Sequence, residues 1–182
     1  SNLFSEIIAI WVVSAWEKLG KPKKFNLVEL GPGDGSLAKI FVDTFKKFPE
    51  FNDSVKIFMY EKSNFLKKIQ KKKITSLKVS WINSLDNIKN GPNIFLANEF
   101  FDALPIKQFI KKKNKWFEKK VKVSNIDNFK LVDGPTNIKS IEKKIGINLK
   151  DNQKIIEFSP LTYKYLNTIS KKINAFQGGL LI

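Results

Sequence analysis

Apolar residues recur along this chain at two different periods, and the alternation between those periods predicts an architecture. Phe4, Ile7, Ile8, Trp11 and Ala15 stand three and four apart within residues 3–19. That spacing predicts an amphipathic helix, closed by Gly20 and Pro22, whose apolar face packs on a sheet. Phe25–Leu30 is a short, mostly apolar run that enters a cluster of glycines. Residues 36–48 then return to helical spacing with Leu37, Ile40, Phe41 and Phe45. The alternation continues through a strand at Val55–Tyr60, a basic helix at 64–72, and strands at 77–81 and 93–97. Buried parallel strands read as near-continuous apolar runs, and strands alternating with helices imply right-handed crossovers. The expected fold class is therefore α/β, with a doubly wound, Rossmann-like parallel sheet.

The pattern changes after Pro105. Residues 107–111 and 116–123 flank a polar, lysine-rich turn, which predicts a β-hairpin inserted at 106–124, after the fourth strand. Residues 127–151 are polar and irregular, with Gly134 and Pro135 as a turn signal and a short helix at 138–144. A further strand is expected at 153–158, a helix from Pro160 to about 173, and a last strand at 178–182. A sheet strand at the very end of the chain predicts that the sheet continues elsewhere. The 182 residues thus read as the core of a single domain, with flanking segments outside it. No internal repeat occurs, and low complexity is confined to the lysine runs at 71–73 and 111–113.

The chemistry-bearing stretch is Glu29-Leu30-Gly31-Pro32-Gly33-Asp34-Gly35, placed between a strand and a helix. Glycines let the backbone turn and approach a ligand, and the helix that begins at Ser36 offers unpaired N–H groups. A dinucleotide fingerprint would read G-x-G-x-x-G or G-x-G-x-x-A, and a Walker loop would end in Gly-Lys-Ser or Gly-Lys-Thr; neither is present. An acidic residue just before G-x-G-x-G is the pattern of class I methyltransferases, which hold an amino-acid moiety rather than a pyrophosphate. Glu29 is then placed to attract an ammonium, with Gly31, Pro32, Gly33, Gly35 and Ser36 around it. Glu61 ends the second strand, where a carboxylate can accept both hydroxyls of a ribose. The plainer role for Glu61 is a cap on a helix starting near Ser63. Ser84 and Leu85, after the third strand, are expected around an adenine, whereas Trp81 is expected in the core.

A second motif, Asn98-Glu99-Phe100-Phe101-Asp102-Ala103-Leu104-Pro105, follows the fourth strand. It therefore sits at the carboxyl edge of the sheet, where open α/β folds bind ligands. Asn98 can donate and accept there, and Glu99 and Asp102 share a face if the segment turns helically. For Asp102 a helix cap, and for the phenylalanines core packing, are the plainer roles.

Taken together, the two motifs resemble the MidA-like family of S-adenosylmethionine-dependent methyltransferases. Further likeness lies in Leu3-Phe4-Ser5-Glu6, Trp116-Phe117-Glu118, Glu157-Phe158-Ser159-Pro160 and Gly178-Gly179-Leu180-Leu181-Ile182. The chain departs from the family at Ser5, where glycine is usual, and at Asp34, where a basic or small residue is common. The family's glycine- and tyrosine-rich N-terminal segment and its C-terminal part lie outside these residues, and residues that bind the acceptor are expected there too. The resemblance implies S-adenosylmethionine as cofactor and methylation of an arginine on a protein, a core subunit of respiratory complex I. It also implies a bacterial cytoplasm or, in a eukaryote, the mitochondrial matrix. The charge and placement of the second motif suggest catalytic roles for Glu99 and Asp102, which would orient and partly neutralise a guanidinium, and for Asn98, which is expected to contact the cofactor as well.

Composition narrows the chemistry further. The chain has no cysteine and no histidine, so thiolate and imidazole metal sites, a Ser-His-Asp triad and a Cys-His pair are all excluded. No metal is expected, and reactions that need little acid–base help are favoured. Every one of the 33 basic residues is lysine, and the net charge is +16. The lysines are spread along the chain and arginine, the preferred reader of phosphates and bases, is absent, which argues against a nucleic-acid partner. Two rival readings remain open at this point: a methyltransferase acting on an amine of nucleic acid, and a non-catalytic assembly factor that binds the cofactor. No uncharged apolar stretch is long enough for a spanning helix, and no basic-then-apolar leader is readable, so a soluble protein is expected.

Overall fold

The computed structural model describes residues 2–88, 90–125, 128–146, 148 and 153–182. Its elements divide the chain into two compact units, Ser1–Phe101 with Leu166–Ile182, and Asp102–Tyr165.

The first unit is built on a five-stranded, wholly parallel sheet. Its strands are β1 (Phe25–Leu30), β2 (Val55–Tyr60), β3 (Val79–Ile82), β4 (Asn93–Leu96) and a last strand, β9 (Gly178–Leu181). They lie in the order β3-β2-β1-β4-β9. Register runs without interruption, from Phe25 opposite Val55 to Leu30 opposite Tyr60. Because all five strands point the same way, their carboxyl ends share one edge, and the segments after β1, β2, β3 and β4 open there together.

One face of the sheet is covered by α1 (Asn2–Lys18) and α2 (Ser36–Phe45), with the short α3 (Pro49–Ser54) completing the layer. The sheet residues alternate as a pleat requires: Phe25, Leu27, Ile57 and Ile94 join the helices, while Val28, Phe58 and Phe95 are buried on the opposite face. Four aromatic rings lock the helical layer. Phe51 meets Trp16, Phe25 and Phe45 edge to face, with centroids 5.3, 5.6 and 4.7 Å apart. At the opposite, amino-terminal edge Asn26 donates to the Asn93 side chain at 3.0 Å, and Asn93 donates to the Gly91 carbonyl at 2.7 Å. These buried amides pin β1 to β4 away from the glycine loop.

The helix expected at 3–19 forms, but with a different face inward. Ser5, Ala9, Val12, Val13 and Trp16 are buried, while Phe4, Ile7 and Trp11 remain largely exposed and Ile8 and Ala15 half-buried. The helix is apolar around most of its circumference, so spacing alone did not select the face. Small Ser5 and Ala9 permit the closer approach. The helix expected at 36–48 ends earlier, at Phe45, because Pro49 opens α3.

The second unit is an antiparallel sheet in the order β7-β6-β5-β8, formed by β5 (Lys107–Lys112), β6 (Lys115–Asn125), β7 (Asn128–Pro135) and β8 (Ile155–Phe158). The expected hairpin at 106–124 is its centre, with Lys113 and Asn114 both at positive φ, 44° and 60°, as a tight primed turn requires. The sheet is larger than the hairpin. The strand expected at 153–158 pairs antiparallel with β5, Phe109 facing Ile156. Within the stretch expected to be irregular, Asn128–Pro135 forms a full strand against β6, and the short helix follows as α5 (Ile138–Ile145). Residues 127, 147 and 149–151 of that stretch lie outside the described residues. The helix α4 (Asn64–Lys73) links β2 to β3, and α6 (Pro160–Phe176) leads into β9. Among the described residues no helix is long and apolar enough to cross a membrane.

The aromatic cluster generates a prediction. Phe45 is 1% exposed and its ring packs on both Phe41 and Phe51. Phe45→Ala is expected to cost about 3–5 kcal/mol, read as a lowered midpoint in urea unfolding at unchanged slope.

Candidate active site

The glycine loop is a left-handed turn wedged between two neighbours. Gly31, Gly33 and Gly35 have φ of 63°, 54° and 81°. The loop closes on itself through the Gly35 N–H, which donates to the Pro32 carbonyl at 2.8 Å, and is tied to β2 by the Gly31 N–H donating to Tyr60 O at 3.1 Å. A methyl group on Gly31 would lie 2.8 Å from Cδ2 of Phe100, and one on Gly35 would lie 3.1 Å from Cγ of Gln70. On Gly33 it would meet nothing within 4 Å, because that residue faces open space. The loop is thus held from both sides and left free in the middle.

Glu29 is the penultimate residue of β1 and is only 4% exposed. Its Oε2 is buried without a hydrogen-bond partner. Burial, reinforced by the nearby Asp34 carboxylate, pushes its carboxyl up to about 8. Asp34 behaves oppositely: hydrogen bonds from Lys73 and Ser36 hold its carboxyl down at about 2. Lys73 reaches Asp34 at 2.5 Å, and Ser36 donates to it through Oγ at 2.8 Å and through its N–H at 3.0 Å. Ser36 is therefore engaged by Asp34 at the start of α2, and the departure at Asp34 is matched by a lysine on α4.

Glu61, 8% exposed, accepts the Ser63 N–H at 2.7 Å on Oε1. Ser63 in turn caps α4, its hydroxyl accepting from the Leu66 N–H. Ser63, and not Glu61, is therefore the helix cap; Glu61 braces the capping residue, with Oε2 turned toward Gln70, whose Nε2 lies 3.4 Å away. Gln70 is a residue that sequence reasoning missed. It is 0% exposed on a helix made largely of lysine, and the one available signal was a glutamine interrupting that lysine run. Its Nε2 also donates to the Gly33 carbonyl at 2.7 Å, and its Oε1 accepts from Trp81 Nε1 at 2.8 Å. Trp81 is half-buried against the core, with Lys71 Nζ 5.5 Å from its ring centre. Ser84 caps a single 3-10 turn, Leu85–Asn87, by accepting from the Asp86 N–H, and Leu85 is buried.

After β4 the chain turns sharply. Asn98 and Glu99 are exposed, and Glu99 has φ of 47°, a left-handed conformation that few side-chain-bearing residues adopt. Phe100 is half-buried and packs edge to face with Tyr60 and Phe101, at 6.4 and 5.3 Å between centroids. Asp102 is exposed and belongs to the second unit.

These segments enclose a cleft of about 410 Å³, within the size range of small-molecule sites. It gathers Glu29, Gly31, Pro32, Gly33 and Ser36 from the first motif with Asn98 and Glu99 from the second. Gly35, Glu61, Ser84, Leu85 and Asp102 do not line it. Phe4, Leu37 and Asn98 are shared with a neighbouring apolar recess of about 320 Å³. The buried, partnerless oxygen of Glu29 and the open space over Gly33 fit S-adenosylmethionine: the first would hold an ammonium and the second would admit the ligand chain. Glu61 follows β2 at the next strand end, outside the lining of this cleft. Among the described residues no group of three or more His, Cys, Asp or Glu side chains could hold a metal.

Glu29 also generates a pH prediction. Its folded-state pKa lies above the ordinary 4.5, so its contribution to stability is fully present below about pH 4.5 and is lost as pH rises through about 8. Between pH 5 and 9 the ligand-free protein should lose up to about 4 kcal/mol that Glu29→Gln retains. Urea unfolding of both proteins across that range checks this, and parallel pH profiles would contradict it.

Comparison with known proteins agrees with this geometry. Residues 7–182 match the family described as "Putative S-adenosyl-L-methionine-dependent methyltransferase". The mitochondrial protein arginine methyltransferase NDUFAF7 of Xenopus laevis is 27% identical over all of this chain and 47% of its own length. The Drosophila melanogaster homolog is 33% identical over 70% of this chain and 34% of its own. A crystal structure from Burkholderia thailandensis, described as a "likely methyl transferase" bound to S-adenosyl-homocysteine, superposes with a TM-score of 0.71 at 20% identity. It covers 94% of this chain and 44% of that one, and it shares the Rossmann-like fold. The chain spans about half the length, or less, of the curated relatives it matches. With most of its length matched by the family, the chain belongs to the S-adenosyl-L-methionine-dependent methyltransferase family that the two motifs resemble.

Proposed function

We propose that this chain carries the cofactor site of a protein arginine N-methyltransferase that acts on a core subunit of respiratory complex I. The single observation that carries the reading is the buried Glu29 carboxyl, one oxygen of which has no hydrogen-bond partner, beside an open left-handed glycine loop. The arginine acceptor is supported by the printed names of relatives from Xenopus laevis and Drosophila melanogaster, and the complex I subunit by the family resemblance. A mitochondrial location in a eukaryote follows those relatives, and the bacterial cytoplasm follows the family resemblance alone.

When bound, S-adenosylmethionine supplies an electrophilic methyl group on its sulfonium. The residues of this chain supply position and charge. Glu29 would hold the ammonium and Glu61 would accept the ribose hydroxyls, while the N–H groups of Gly31, Gly35 and Ser36 are spent on holding the loop's own shape. Ser84 and Leu85 flank the adenine side. Asn98 orients the acceptor at the carboxyl edge. Glu99, held in its left-handed turn at the cleft, pairs with the guanidinium and takes the proton released when the nitrogen gains its methyl. Asp102 receives the same role from its spacing in the motif. Catalysis then rests on alignment and electrostatics, which suits a chain with no histidine or cysteine.

Thermal unfolding with S-adenosylhomocysteine, S-adenosylmethionine and NAD in turn tests the cofactor. At about one hundred times its dissociation constant a ligand adds about 2.7 kcal/mol, or about 5–10 °C for a chain of this size. The first two ligands should produce that shift and NAD none, and Glu61→Ala should shrink it at the same ligand concentration while leaving weaker binding measurable at higher concentration. A shift with NAD alone would instead identify a nicotinamide enzyme. The acceptor roles are tested separately with Glu99→Ala combined with Asp102→Ala. Methyl transfer to an arginine-containing protein acceptor should fall at least about 100-fold, while S-adenosylhomocysteine affinity stays within about twofold. Unchanged turnover would remove both carboxylates from the chemistry.

A further inference from the structure

We propose that Gln70 is a positioning residue for the cofactor, fixing the glycine loop and the Glu61 carboxylate relative to one another. The inference rests on the cleft being the S-adenosylmethionine site. Gln70 lies on α4, outside both motifs, yet one side chain reaches all three segments that follow or form the first three strands. Its Nε2 donates to Gly33 O at 2.7 Å and faces Glu61 Oε2 at 3.4 Å, and its Oε1 accepts from Trp81 Nε1 at 2.8 Å.

The orientation of this amide is forced by its partners. An indole N–H only donates, so the oxygen of Gln70 must face Trp81, and the NH₂ group must face the two acceptors. Trp81 therefore acts as the key that sets which end of Gln70 the loop meets. The same side chain sets the loop's shape by volume: its Cγ lies 3.1 Å from where a methyl on Gly35 would stand. Full burial of Gln70 raises the stakes for its own amide, which would lose its partners where water does not reach it.

The consequence concerns two ends of one ligand. Gly33 marks the open middle of the loop, and Glu61 is the carboxylate placed for the ribose. With Ser63 holding Oε1 and Gln70 facing Oε2, the Glu61 carboxylate has a fixed plane, and its remaining lone pairs point in fixed directions. A ligand that spans loop and ribose carboxylate then finds both at a preset separation, without ordering them as it binds.

Isothermal titration of S-adenosylhomocysteine into the 182-residue chain tests this. Gln70→Met keeps the volume and removes the hydrogen bonds. It should weaken binding about tenfold in the wild-type background. In the Glu61→Ala background, where the orienting partner is already gone, the same change should cost about threefold or less. Equal losses in both backgrounds, or no loss, would overturn the proposal. Trp81→Phe provides a second variant that keeps the core ring while removing only the donor to Gln70. It should weaken binding about threefold, and unchanged affinity would count against the proposal. A ligand-free measurement separates this inference from the reading it rests on. Amide hydrogen exchange at residues 31–35 should accelerate about tenfold in Gln70→Met, and unchanged exchange would overturn the role of Gln70. Failure of the wild-type chain to bind S-adenosylhomocysteine would instead overturn the reading of the cleft, with the exchange measurement still deciding the role of Gln70.

Discussion

A carboxyl group buried at the end of a strand, with one oxygen unpartnered, is the constraint around which this molecule's site is arranged. Burying an ionised carboxylate without a partner is costly enough that the group holds its proton instead, and Glu29 does so, with its carboxyl pushed up to about 8. An apolar side chain at that place would pack against α1 and α2 at no such cost. The arrangement makes physical sense where a cation arrives to occupy the space. An ammonium beside Oε2 would restore the carboxylate and convert a liability of the empty fold into binding energy. The rest of the first motif follows from that need: the loop must turn left-handed to leave the space open, and glycine is the residue that does so without strain.

The sheet explains why the two motifs can cooperate although about 65 residues separate them. In a parallel sheet every strand end arrives at one edge, so adjacency of β1 and β4 places Gly31 beside the segment that follows Leu96. Phe100 makes this concrete. Its ring occupies the place where a side chain on Gly31 would go, and it leans on Tyr60 at the end of β2. The phenylalanine expected to serve core packing therefore packs on the cofactor loop itself. The neighbouring Glu99 is held in a backbone conformation that carries a cost of about 1–3 kcal/mol, and such strain persists only where the surroundings impose it.

Most of the parallel sheet was legible because its strands are short apolar runs bounded by turn residues, and Val55–Tyr60 and Phe25–Leu30 fall where periodicity places them. The inward face of α1 was not, since a helix apolar on nearly all sides carries no directional signal. Strand β7 escaped for a different reason. Phe129, Leu131 and Val132 are exposed there, so the segment has no buried face whose alternation could announce it, and its pairing with β6 holds it in place. In the site, the positions of the loop glycines, Glu29 and Glu61 at strand ends were readable from spacing because strand ends recur in a fixed relation to the fold, whereas Gly35 and Glu61 fall outside the cleft lining. Gln70 was not, because its role depends on three partners that lie on three different strand ends, 37, 9 and 11 residues away. No local pattern encodes a meeting of residues 33, 61, 70 and 81.

The lysines show the same limit from the other side. A charge of +16 invites an electrostatic function, yet the ion pairs among the described residues are mostly exposed, such as Lys39 with Asp43 and Lys21 with Glu50. Exposed pairs of this kind contribute little each. Lys73 differs in what it touches rather than in strength. It binds the Asp34 carboxylate that stands between the two outer loop glycines, and it also donates to Ser36 Oγ at 2.9 Å. Without that lysine, Asp34 would add an unbalanced negative charge beside Glu29 and hold its proton more tightly still. Lys73 therefore acts on Asp34, the carboxylate that in turn raises the buried acid.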